Sequence, residues 1–411
     1  MGHGDLLGFV RISLEEATGR PVVTLATETY NVNRAPRGFP VATVTAYCTD
    51  QKGRPREVAE IRTRTGISIF MIPAETYPGH INNLYVIDHP TRPILVDVGS
   101  GLATTDRDLD LGLAQARSRF GLRATIADLA EVVITHAHAD HFGNAHRFHR
   151  LGVPIAVHDA DAHVLARFDE RARLAASNLG TFLLRAGLDH LRADRFLALY
   201  RSGKPHFPDL EPDRRLGEGD AVGSGWPVLH VPGHCAGQIC IAVDDVVLVA
   251  DHLLARTTPA LSPEWLAPGC GLTPYLSSLE KLRAFGRFDL ALGGHEAPMP
   301  DVSARIAEVK AHHERRLWLV LEFCRPGPLT VAEISRRLFG QQRGYGVLLA
   351  LGEAAAHIEY LHTRGHLAVA NPDEVVANAL AAPRFRACGV PTAPLIEPLA
   401  VPVLDDSPTK P

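Results

Sequence analysis

Methionine and tryptophan are scarce in this chain, three of each among 411 residues, and aromatic residues make up only 6%. Cysteine is sparse too. The six thiols (Cys48, Cys235, Cys240, Cys270, Cys324 and Cys388) contain no CxxC pair, the spacing of thiolate metal sites and dithiol redox centres. In a chain of this length they read as reduced and mostly buried, and Cys235 reads as a core-packing thiol rather than a nucleophile. No apolar run reaches the roughly 20 residues that cross a bilayer, so no membrane partner is expected. Met1–Asp5 shows no basic stretch leading into a long apolar segment, which argues against a signal peptide and for a cytoplasmic location. The net charge of −4 excludes a strong global polyanion binder. What remains, 46% hydrophobic and 21% charged residues, is ordinary for a globular protein with length for two or three domains.

Histidine is abundant, with 21 residues, and its distribution is the main signal. The segment Thr135–His141 carries His136, His138, Asp140 and His141 directly after the apolar run Val132–Ile134. Buried imidazoles and carboxylates are costly unless paired or bound to metal. Four more such residues stand where an apolar strand-like run gives way to a turn: Asp97, His234, Asp251 and His295. The repeated placement implies strand ends that share one edge of a sheet and supply a common site on loops.

These residues resemble the metallo-β-lactamase superfamily over roughly residues 67–300. His136, His138, Asp140 and His141 match its HxHxDH motif, and His234, Asp251 and His295 follow in the family's order. The resemblance implies a glyoxalase II-like site for two metals. His136, His138 and His234 would hold the first, Asp140, His141 and His295 the second, and Asp251 would bridge them. Asp97 would orient ligands from behind. Five imidazoles and two carboxylates suit divalent ions: zinc is the first choice, and manganese or iron fits the same set. The implied reaction is hydrolysis by a metal-bridging hydroxide, with Asp140 as the catalytic residue that orients it or moves its proton. His252 reads equally as a proton carrier behind the ligands or as a structural residue. Arg256 and Thr257, after the bridging position, are expected substrate contacts.

The fold implied is α/β, a four-layer αββα sandwich with a C-terminal winged-helix domain. The expected divisions are an N-terminal extension with short strands (1–65), the hydrolase domain (66–300), a winged-helix-like domain (301–383) and a Pro-rich tail (384–411). The extension either packs on the main domain or serves in self-association, as in a homodimer. Residues 160–203 read as helices inserted over the site's mouth, with their arginines mostly on a solvated face. Thr330 with Glu333 predicts a capped helix start. The C-terminal part resembles a subgroup that includes a mitochondrial single-strand endoribonuclease. Yet Asp301–Pro372 holds nine Arg/Lys against seven Asp/Glu, a weak basis for binding nucleic acid. The first expectation is therefore hydrolysis of a small acyl substrate (thioester, ester or lactone). A metal-dependent single-strand RNA endonuclease comes second, and a non-enzymatic winged-helix regulator of nucleic acid third. Glu296, beside the ligand His295, tilts the choice from phosphate toward acyl substrates.

Overall fold

The computed structural model describes residues 57–202 and 206–396, and the backbone of 43–44. The strand expected at 22–27, most of that at 41–47, and the tail beyond 396 lie outside the described residues. The chain opens with β1 (Thr43–Val44), β2 (Ala59–Arg62), β3 (Ser68–Tyr77), β4 (His80–Asp88), β5 (Ile94–Val96) and α1 (Ala103–Gln115). It continues through β6 (Glu131–Ile134), α2 (Ala139–Phe142), α3 (Ala145–Arg150) and β7 (Ile155–His158). Three helices follow, α4 (Asp159–Ala166), α5 (Phe168–Arg185) and α6 (His190–Ser202). Then come β8 (Arg214–Leu216), β9 (Ala221–Val222), β10 (Trp226–His230), β11 (Ile239–Val243), β12 (Val246–Ala250), α7 (Leu272–Phe285) and β13 (Leu290–Gly293). The last part holds α8 (Val302–Cys324), α9 (Val331–Phe339), α10 (Gly346–Thr363), β14 (Leu367–Val369), α11 (Pro372–Ala377) and β15 (Phe385–Ala387).

One sheet takes β1 to β8 in sequence order, and a second runs β13-β12-β11-β10-β9. Side chains alternate across each strand, so each sheet has two apolar faces to cover. In β3, Ile69 and Met71 pack between the sheets against Ile241, Val243 and Leu248. Phe70 and Ile72 face outward and pack with Leu109 and Leu113 of α1. The outer face of the second sheet, with Leu229, Val247 and Val249, is covered by Leu279 and Leu282 of α7 and by residues of α8 and α10. The order is helix, sheet, sheet, helix, as expected. Each large side chain sealed into these layers contributes about 1.5–3 kcal/mol.

Two expected boundaries move. β2 pairs with β3 from Ala59↔Met71 to Arg62↔Ser68, so the sheet begins before residue 66. At the other end, β15 pairs with β14 through Val369↔Phe385, so the segment after 383 starts as a strand rather than a tail. The inserted helices, expected from Asp161 to Asn178 and from Leu183 to Tyr200, break instead at Arg167 and around Gly187, whose φ of +98° suits glycine. Thr330 does cap α9, reciprocally with Glu333, a motif worth about 1 kcal/mol. The helices α8 to α10 share one apolar core with the second sheet. Among the described residues no helix is long and apolar enough to cross a membrane.

Candidate metal centre

The ligand-bearing loops all leave the carboxyl ends of strands. Asp97 follows β5, His136 follows β6, Asp251 follows β12, and His295 follows β13. β5 and β6 are parallel, as are β12 and β13, so each pair delivers its residues to the same edge. Asp97 and Ala250 adopt positive φ, +58° and +43°. Such backbone is costly outside glycine and persists where surrounding structure holds it. Gly294 is required: a Cβ there would run into the Asp251 carboxylate and the His141 ring.

The expected residues converge. His136 Nε2 lies 3.0 Å from His138 Nδ1, and the His138 and His234 rings are 4.5 Å apart. Asp140 Oδ2 is 3.6 Å from both His141 Nε2 and His295 Nε2. Asp251 stands between the two groups, with Oδ1 3.5 Å from His141 Nε2 and Oδ2 3.3 Å from His295 Nε2 and 3.7 Å from His234 Nε2. The outer ring nitrogens are engaged behind them. His141 Nδ1 donates to Asp97 Oδ2 at 2.8 Å, His295 Nδ1 to the Ile81 carbonyl and His234 Nδ1 to the Ala260 carbonyl, each also at 2.8 Å. Asp97 also accepts from the Thr135 amide and hydroxyl, and that hydroxyl lies 3.1 Å from His136 Nδ1. One carboxylate thus orients His141 directly and His136 through Thr135.

The donor set fits divalent ions. With Nδ1 engaged outward, His141, His234 and His295 turn Nε2 toward the cluster. His234 Nε2 and Asp251 Oδ1 are buried with no hydrogen-bond partner, which is costly unless something else meets them. His136, His138 and His234 offer atoms close enough to hold one ion, and so do His136, His141 and Asp251; the third such group joins Asp140 and His295 to His80 rather than to His141. Burial, followed by the crowding of His141 and His138, holds His136 well below the ordinary imidazole value. Burial and His234 bring His138 down to about 3. Burial opposes charge on Asp251, but His295 and His141 outweigh it and keep its carboxyl well below the usual range. Burial also opposes charge on His141 and His295, but Asp140 and Asp251 outweigh it, raising His141 well above the ordinary imidazole value and His295 to about 9. This half of the site favours positive charge, and its nitrogen and oxygen donors suit zinc, manganese or iron.

Several residues went unread in the sequence. His80 Nε2 lies 3.2 Å from Asp140 Oδ2, and its ring sits 4.5 Å from that of His295. Asn82, fully buried, donates to Asp140 Oδ2 and to its carbonyl at 3.1 Å, while Thr76 Oγ1 donates to Asn82 Oδ1 at 2.6 Å. Asp161 accepts from the Ala137 amide at 2.7 Å and the Gly237 amide at 2.8 Å. The available signal was polarity in an apolar context: His80, Asn82 and Asn83 interrupt a strand that is otherwise hydrophobic.

The other expected positions fall differently. His252 is buried against Tyr275, with burial bringing it down to about 3, and no hydrogen bond links it to the ligands. Cys235 Sγ faces Asp161 at 3.2 Å, and burial pushes its thiol well up. Thr257 Oγ1 donates to Glu296 at 2.8 Å, and the Arg256 amide donates to the same carboxylate at 2.6 Å. Glu296 is therefore bound to this loop rather than left bare beside His295.

A family model described as the metallo-beta-lactamase superfamily matches residues 77–295, more than half of the chain. The acyl-coenzyme A thioesterase MBLAC2 of Homo sapiens is 27% identical over 238 residues, covering 56% of this chain and 78% of that protein. The probable metallo-hydrolase YqjP of Bacillus subtilis (strain 168) is 25% identical over 285 residues, covering 65% of this chain and 83% of its own. Among solved structures, the metallo-beta-lactamase family protein TTHA1429 from Thermus thermophilus is 27% identical with a TM-score of 0.61, over 78% of this chain and 98% of that one. A beta-lactamase domain protein from Burkholderia ambifaria is 25% identical with a TM-score of 0.62, over 78% and 92%. Fold, ordered ligand motif and matched domain agree: the chain belongs to the metallo-beta-lactamase superfamily and is a hydrolase of that class.

Proposed function

We propose that the chain hydrolyses a small acyl substrate, a thioester first and an ester or lactone next, at a centre of two divalent ions. The observation that carries this is the convergence of five imidazoles and two carboxylates, with His234 Nε2 and Asp251 Oδ1 buried and unpartnered among them. The acyl preference rests on the likeness to MBLAC2, a thioesterase by name. When bound, such a metal pair supplies an ionised water near neutral pH and a Lewis acid for the substrate oxygen.

The chain's own residues orient that chemistry. Burial works against charge on Asp140, but His141, His80 and His295 hold its carboxyl well below the usual range. An ionised Asp140 is thus a fixed hydrogen-bond acceptor that would orient a water in the site. Asn82 and Thr76 fix the carboxylate's direction, and His80, 40% exposed in its side chain, connects it to solvent. Two phenols lie near enough to Asp140 to feel its charge, Tyr345, just before α10 and 37% exposed, and Tyr77 on β3. Their rings offer an apolar rim with hydroxyls for an acyl chain. In this reading the C-terminal helices, with the β14–β15 ribbon of a winged-helix outline, shape the rim rather than read nucleic acid.

The test is a panel of acyl-thioesters, aryl esters, lactones and single-stranded RNA, assayed with added metal and with chelator. Thioester turnover is expected to be highest and to vanish with chelator. Metal-dependent cleavage of RNA with the acyl compounds untouched would reverse the assignment.

A further inference from the structure

A buried polar cluster lies outside the site. His313 on α8 and Glu353 and His357 on α10 are close enough to share an ion, yet Arg316 Nη1 already lies 2.7 Å from Glu353 Oε1. His313 Nδ1 and His357 Nε2 meet each other at 3.1 Å, and His357 Nδ1 donates to the Glu353 carbonyl at 2.7 Å. A guanidinium occupies the place a cation would take. The second carboxylate oxygen does something else: Glu353 Oε2 accepts from the Leu261 amide at 2.9 Å. That N–H belongs to the same peptide unit as the Ala260 carbonyl, which accepts from His234 Nδ1 at 2.8 Å.

We propose that Glu353 is a positioning residue for His234, acting from the C-terminal helices through the single peptide unit between Ala260 and Leu261; the inference rests on the two-metal reading above. An anion on the N–H side of a peptide strengthens its carbonyl as an acceptor, because hydrogen bonds in series polarise one another. The stronger acceptor holds the proton on His234 Nδ1 and leaves Nε2 bare toward the other ligands. The arrangement is a carboxylate–histidine–metal support with a peptide inserted between acid and ring. Two further contacts on α10 fix the same loop. Gly352 lets the helix approach, since a Cβ there would sit 3.2 Å from the Leu261 carbonyl. Glu359 accepts from the Glu264 amide at 2.8 Å and the Trp265 amide at 3.3 Å. Arg316 and Glu353 are both buried, so the pair is held at fixed geometry rather than exchanging with water.

The test uses the full chain. E353A alone leaves Arg316 buried and unpaired, a change that commonly costs folding. The double variant R316L/E353L removes both charges and keeps the core apolar. Zinc affinity is measured by competition with a chromophoric chelator, and cobalt is used as a spectroscopic probe of the three-imidazole site. The expected result is one ion of the two held about 10–100-fold more weakly, with an altered cobalt spectrum and the other ion unchanged. Two unchanged affinities in a folded variant would overturn the proposal. So would a parallel loss of both ions with a lower melting temperature of the metal-free protein, the mark of a merely structural role. If the unaltered protein itself takes up no metal, the two-metal reading fails first, and that outcome is visible before any variant is made.

Discussion

Replacing His138 with alanine is expected to remove turnover while the protein stays folded. His138 contributes Nδ1 to the first ligand group, 3.0 Å from His136 Nε2, and sits in a loop rather than in the core. Its loss leaves that group with two imidazoles, His136 and His234, too few for a stable site. A metal acting as Lewis acid and water activator is worth several kcal/mol, so the fall in kcat/KM is about a thousandfold or more. Steady-state kinetics on the best panel substrate, beside circular dichroism, checks this. Retained activity in a folded His138→Ala variant would place the chemistry elsewhere.

Asp161→Ala should act on both stability and metal retention. Asp161 lies in the first turn of α4 and is buried. Its oxygens hold the amide between His136 and His138 and the amide of Gly237, three residues after His234. It therefore ties together the two loops that carry the first ligand group. Alanine leaves two amides without acceptors, each costing about 1–3 kcal/mol when buried. A loosened ligand set typically binds metal about 10–100-fold more weakly. Thermal melts with and without zinc separate the two effects: the metal-free melt should fall, and the gain on adding zinc should shrink. A variant that melts like the unaltered protein under both conditions would show that the loops hold their positions unaided.

The cluster of imidazoles and carboxylates was legible in the sequence because its pattern is local. HxHxDH puts four donors within six positions at a strand end, and each later ligand announces itself by following an apolar run. The four layers came from the family resemblance, while the residues themselves showed the alternation of strands and helices, through apolar stretches such as those of β3, β4 and β12. The misplaced boundary at residue 66 reflects the opposite case. β2 is four residues long and ends in Arg62, and only its pairing with β3 identifies it as part of the sheet. The supporting carboxylates were hidden for a similar reason. Asp161 and Glu353 stand on ordinary helices, and both bind backbone amides far away in sequence, where no side-chain pattern marks the partner. Arg256 and Thr257 are read from their place after the bridging position; what that reading does not include is the bond of Thr257 and of the Arg256 amide to Glu296.

The central claim is that this edge of the sandwich grips a pair of divalent ions. Elemental analysis of freshly purified protein, followed by zinc titration after chelator treatment, tests it most directly. Two equivalents per chain are expected, falling to one or fewer in His138→Ala. A chain that carries no metal and takes up none, while remaining folded, would contradict it.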